Sequence, residues 1–175
     1  MPLHDLLTAP RVAIMDVPAA GTHVRGTRAR SSQTDPLTER DRVLDAAAGL
    51  LAAAGRRETV ARALREREAL ASTALGEGVA IPHARCSDIE QCHGAFLRLT
   101  RPVDFAAADG RPVDLVLALL VPEHDIQPQL ARLAELAERF ADAGFRRMLR
   151  EAKDVEQLRR HLLSGPSPTP LYRAA

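Results

Sequence analysis

Apolar residues recur at helical spacing from Val43 through Leu44, Ala47, Leu50, Leu51 and Ala54, which predicts a helix. Thr38 opens it, Asp41 three residues later completes a variant of the capping box, and Gly55 is expected to stop it. A second helix is predicted over Glu58 to Leu70, with Val60, Ala63 and Leu64 on its apolar face. Extended by one turn, that face reaches Arg67, an uncommon place for a guanidinium because burying it requires a partner. The arginine is either a stem that snorkels to the surface or a cation aimed at an anion.

The pattern then changes period. Ser72 to Gly78 is turn-rich, Val79-Ala80-Ile81 predicts a short strand, and Pro82 is expected to end it. Ala95, Leu97 and Leu99 alternate as in a strand. Pro102 and Asp109-Gly110 mark turns. Val113 to Val121 is apolar on both faces, which predicts a central strand covered on both sides, and Pro122 closes it. A helix follows over about Pro128 to Asp142, with Asp125 as its expected cap, and then two shorter ones near Phe145 to Ala152 and Val155 to Leu163. Towards the start, Leu3 to Leu7 predicts a short helix and Val12 to Val17 a strand. Gly21 to Pro36 predicts a loop, and Ser164 to Ala175, with three prolines, a tail. Strands mixed with helices, and one strand buried on both faces, predict an α/β (α+β) sandwich formed as one domain over residues 1–163.

Composition narrows the function. The chain has 175 residues, with 24 basic against 23 acidic side chains and a formal charge of +1. Such balance leaves no electrostatic footprint for a phosphate backbone, and 3% aromatics leave few platforms for base stacking, so nucleic acid is not an expected partner. The longest strictly apolar run, Leu115 to Val121, is far below the ~20 residues a membrane helix needs. Met1 to Leu7 carries Asp5 and no Lys or Arg, so no secretory signal is expected to begin here. Two cysteines do not make a disulfide framework, and a reduced, cytoplasmic protein is expected.

His83 is the most suggestive chemical feature. It follows a strand and a proline that fixes the backbone, which holds an imidazole at an edge where a partner can reach it. A neutral imidazole is a competent nucleophile near neutral pH. His83, Cys86, Cys92 and His93 are all zinc-ligand types, but the spacing argues against a zinc site. Cys92 and His93 are adjacent at a strand entry, and neither half has the two-residue cysteine spacing. Gly76 and Gly78 lack the rest of any nucleotide loop. Asp104, Asp109 and Asp114 read as turn and strand-edge residues. No metal or cofactor is expected.

Taken together, Arg67-Glu68-x-x-x-Ser72-Thr73-x-x-Gly76-x-Gly78-Val79-Ala80-Ile81-Pro82-His83 resembles the signature of the fructose/mannitol-type IIA domains of the bacterial phosphoenolpyruvate-dependent phosphotransferase system. Arg101-Pro102-Val103-Asp104-Phe105, Asp109-Gly110-x-Pro112-Val113-Asp114-Leu115-Val116, Leu119-Leu120-Val121-Pro122 and Leu130-x-x-Leu133-x-x-Leu136-Ala137 continue the resemblance in order and distance. It covers about residues 38–163, and it is strongest towards the nitrogen-regulatory branch.

The resemblance implies a mixed β-sheet flanked by helices on both sides. It implies that His83 accepts a phosphoryl group from a histidine-containing phosphocarrier protein and that Arg67 steadies that group. The chain would then be a phosphotransferase component with a phosphohistidine intermediate. It would act on regulatory protein targets or, as a sugar-specific alternative, on a IIB transporter domain. Ser72 and Thr73 lie in the turn between the two site residues and could add hydroxyl or backbone N–H donors, or serve only the turn.

Two departures stand out. The family's second histidine, near the start of the long helix, is replaced by Gln129, while His124 lies five residues too early. Glutamine donates a hydrogen bond but cannot carry charge, which leaves open an interaction module without phosphotransfer. The stretch at about 19–37 looks like an arginine-rich insertion.

Overall fold

The computed structural model describes residues 11–17, 38–123 and 126–164, the side chains of 126–132 excepted. The expected Leu3–Leu7 helix, the insertion at about 19–37, the Asp125 cap and the tail beyond Ser164 lie outside the described residues.

Strand β1 (Val12–Met15) precedes helices α1 (Glu39–Leu51) and α2 (Arg57–Leu70), and a 3-10 turn over Ala54–Arg56 joins the two helices. Strands β2 (Ala74–Gly76), β3 (Val79–Ala80), β4 (His83–Cys86), β5 (His93–Val103) and β6 (Val113–Pro122) follow, and then helices α3 (Ile126–Ala141), α4 (Ala143–Glu151) and α5 (Val155–Leu163). The strands form one mixed sheet in the order β1-β5-β6-β3-β2, with β4 also on β6. β5 and β6 are antiparallel, whereas β1 on β5, and β3 and β4 on β6, are parallel.

The helix ends follow from local chemistry. Thr38 and Asp41 form the full capping box of α1: the Thr38 hydroxyl accepts from Asp41 N at 3.1 Å, and Asp41 Oδ2 accepts from Thr38 N at 3.2 Å. Asp142 and Asp154 cap α4 and α5 more simply, each side chain accepting one backbone N–H, from Phe145 and Gln157 respectively. Gly55 does not stop the first helix. α1 ends at Leu51 because Ala52 turns extended, and Gly55 lies in the 3-10 turn.

The predicted two-sided burial of the central strand is observed. Val113, Val116, Ala118 and Leu120 of β6 join Val43, Leu44, Ala47 and Leu51 of α1 and Val60, Ala61 and Leu64 of α2 in one core. Leu115, Leu117, Leu119 and Val121 face the other way, onto Leu136 and Phe140 of α3, Phe145 and Leu149 of α4, and Leu158 and Leu162 of α5. Each buried Leu or Phe contributes roughly 1.5–3 kcal/mol, so both helical layers are held by hydrophobic burial on one strand. Phe96 stacks on Phe140, and Arg139 lies over the Phe145 ring, 4.6 Å from its centroid.

Two prolines behave differently from the expectation. Pro82 interrupts a strand without ending it: β3 pairs with Leu115 and Val116, and β4 resumes on the same neighbour with His83 beside Leu119. The Pro82 carbonyl stays on β6, accepting from Leu119 N at 2.9 Å. Pro102 marks no turn but lies inside β5, in the stretch where the pairing with β6 shifts register between Arg98 and Val103. A missing N–H is tolerated at such an irregularity.

Candidate functional site

The site is built around the Ile81-Pro82 break. Ile81 is buried, and its N–H donates to the Thr73 carbonyl at 3.1 Å. Its carbonyl meets His83 Nδ1 at 3.0 Å. A carbonyl only accepts, so Nδ1 carries the proton and Nε2 keeps its lone pair. His83 itself is half-buried. Desolvation by this partial burial is the largest influence on the ring and holds its pKa below the ordinary 6.5. The positive charges of Arg67 and Arg85 push the same way, while the hydrogen bond to Ile81 and the negative charge of Glu68 oppose them. The neutral, nucleophilic form therefore predominates at neutral pH.

Arg67 is half-buried, and its Nη1 donates to the Ala71 carbonyl at 2.9 Å, just past the end of α2. The helix does not place it on the buried stripe. Val60, Ala61, Leu64 and Glu68 are buried, and Ala63 and Arg67 lie on the flank. The stem thus lies along the protein while the charge acts on His83.

Ser72 and Thr73 have their hydroxyls engaged within the chain. Ser72 Oγ donates to the Phe105 carbonyl at 2.6 Å and accepts from Ala74 N at 3.1 Å. Thr73 is buried, and its hydroxyl donates to the Glu68 carboxylate, which also accepts from Thr73 N at 3.0 Å. Both residues brace the segment between Arg67 and His83. Gln129 is a residue of α3, and its side chain lies outside those described.

Glu68, the buried acid of α2, stands in the sequence motif beside Arg67 with no role assigned to it. The available signal was its place on the Val60–Leu64–Glu68 row, one helical turn beyond Leu64, with a threonine five residues later.

Among the described residues, no group of three or more His, Cys, Asp or Glu comes together to hold a metal. Cys92 is buried, and Cys86 accepts a hydrogen bond from Arg56, which also pairs with Asp88 at 2.8 Å. His93 is a second histidine held below its ordinary 6.5 by burial and by the charge of Arg11. No helix among the described residues is long and apolar enough to cross a membrane.

The chemistry available is that of a neutral imidazole whose Nε2 keeps its lone pair, at a strand break, under the field of two arginines. Comparison with known proteins places the chain among relatives. Residues 31–165 match the family model described as "Phosphoenolpyruvate-dependent sugar phosphotransferase system, EIIA 2". The chain is 40% identical over 139 residues to a nitrogen regulatory protein of Pseudomonas aeruginosa, covering 75% of this chain and 88% of the relative. It is 43% identical over 95 residues to a nitrogen regulatory protein of Bradyrhizobium diazoefficiens, covering 54% of this chain and 62% of that relative's length. Among solved structures, the nitrogen regulatory protein IIA-Ntr of Neisseria meningitidis superimposes with a TM-score of 0.70 at 32% identity, covering 90% of this chain and 97% of that one.

Proposed function

The chain belongs to the phosphoenolpyruvate-dependent sugar phosphotransferase system EIIA 2 family, and from that premise we propose that it is a nitrogen-regulatory phosphoacceptor whose His83 takes a phosphoryl group from a histidine-containing phosphocarrier protein. The observation that carries this reading is the His83 ring itself: half-buried, neutral, with Nδ1 held by the Ile81 carbonyl and Nε2 left as nucleophile.

Phosphoryl transfer asks for in-line approach and charge neutralisation more than for covalent assistance. The Nε2 lone pair forms a bond to phosphorus as the P–N bond of the donor breaks, and that electron pair returns to the donor ring. The proton on Nδ1 stays where it is. Arg67 acts twice. Before transfer its charge disfavours a protonated, non-nucleophilic His83. After transfer the same charge attracts the phosphoryl oxygens. Phosphorylation adds roughly −1.5 to −2 charges at a half-buried position, and a regulatory partner in the cytoplasm reads the change.

The test is incubation with phosphoenolpyruvate, the first enzyme of the system and the phosphocarrier, followed by intact mass. The wild type gains one phosphoryl group and His83→Ala gains none. An unmodified wild type, or a His83→Ala variant labelled as strongly, refutes the reading.

A further inference from the structure

Building on the reading of His83 as phosphoacceptor, we propose that Glu68 is a positioning residue for the transfer: its buried carboxylate holds Thr73, Thr73 anchors Ile81, and Ile81 sets the tautomer and aim of the His83 ring. The links are continuous. Glu68 accepts from Thr73 N at 3.0 Å and from the Thr73 hydroxyl. The Thr73 carbonyl accepts from Ile81 N at 3.1 Å. The Ile81 carbonyl accepts from His83 Nδ1 at 3.0 Å.

Every donor in the chain points towards Glu68. The N–H and C=O of Ile81, and of Thr73, belong to different peptide units, so the series passes on position and not charge. The Ile81 carbonyl, held in position by it, favours the proton on Nδ1 and so leaves the lone pair on Nε2. When Nε2 bonds to phosphorus the ring becomes cationic, and the same carbonyl then stabilises the charge it has gained.

The placement of Glu68 calls for such a role. It is 2% exposed, on a helix face otherwise made of Val60, Ala61 and Leu64. Burying a carboxylate there costs stability that an aliphatic side chain would not. Among the described residues both of its hydrogen bonds go to Thr73, and neither goes to a cation. The acid therefore serves the segment that reaches His83 more than the packing of α2.

Nitrogen NMR of the His83 ring, the rate of phosphoryl uptake from the phosphocarrier and thermal unfolding are measured together on the full chain. The wild type is expected to show the Nδ1–H tautomer. Glu68→Ala is expected to mix the tautomers and slow uptake on the order of tenfold to a hundredfold, as a misplaced reacting group does. Glu68→Gln keeps an oxygen that accepts from Thr73 N and an amide that donates to the Thr73 hydroxyl oxygen, so it holds the segment in place without the charge and is expected to restore the tautomer and most of the rate. If Glu68→Ala lowers only the unfolding temperature, with tautomer and rate unchanged, the proposal is overturned; Glu68→Gln behaving like Glu68→Ala also overturns it. Should Glu68→Ala fail to fold, Thr73→Val carries the comparison, with slower uptake supporting the proposal and unchanged uptake refuting it. A tautomer that shifts in Glu68→Ala, in a protein whose wild type takes up no phosphoryl group, upholds the positioning role and refutes the phosphoacceptor reading.

Discussion

The two ends of the β2–β3 hairpin are held by charge in contrasting ways. At its base, Glu68, Thr73, Ile81 and His83 lie within a short stretch of chain and are linked by hydrogen bonds in series, from the Glu68 and His83 side chains through the backbone of Thr73 and Ile81. At its tip, Gly76, Glu77 and Gly78 all adopt positive φ, and the turn is clamped by side chains from distant segments. Asp109 accepts from Glu77 N at 2.7 Å, and Arg150 donates to the Glu77 carbonyl at 2.7 Å while forking onto both oxygens of Asp114. Arg111 and Arg146 pair with the Glu77 carboxylate. The base contacts a ring; the tip ties the hairpin to β6 and α4. If orientation and rigidity are separate duties, they are expected to separate under mutation.

The largest effect is expected at the tip. A Cβ on Gly78 would stand 2.5 Å from Arg150 Nη2 and 2.8 Å from Asp114 Oδ1, at a φ of +79°. Gly78→Ala combines this clash with backbone strain and is expected to cost about 2–4 kcal/mol in chemical denaturation. The His83 tautomer is expected to stay as in the wild type, and a changed tautomer would break the separation. A smaller effect, about 1 kcal/mol, is expected for Thr38→Ala, which removes the α1 capping box and touches neither end of the hairpin.

The smallest effect is a pH dependence that sharpens the account of the base. The folded pKa of His83 lies below its unfolded value near 6.5, so the unfolded chain takes up the proton first. Stability is complete above about pH 6.5 and falls as the pH drops from there towards the folded pKa. His93 adds to the same trend. Thermal unfolding against pH is expected to show a shallower decline in His83→Gln than in wild type. Arg67→Gln, by removing one of the charges that depress it, is expected to move the His83 titration seen by NMR upward, towards 6.5.

Much of this was readable in the chain itself, and the reason is range. The Thr38–Asp41 cap, the two-sided burial of Val113 to Val121 and the place of His83 just past the proline depend on neighbours or on a simple period. A stripe of Val60, Ala63 and Leu64, extended by one turn, predicts Arg67 on the apolar face of α2, whereas the observed stripe is rotated towards Ala61 and Glu68. Pro82 concealed the continuation of the strand, since no local rule says that β6 will carry the chain across the gap. The arginines were hardest to read. Arg98 donates to the carbonyls of Leu149, Arg150 and Ala152, and Arg146 to those of Phe140 and Ala141, so that guanidinium groups close helix C-termini. Such partners, up to 54 residues away, leave no periodic trace.

The most direct measurement is the location of the phosphoryl group after transfer from the phosphocarrier, mapped under alkaline conditions that preserve phosphohistidine and read by phosphorus–nitrogen NMR coupling. The account predicts a single modified ring, His83, bonded through Nε2. Phosphate on another side chain, or on Nδ1 of His83, would contradict it.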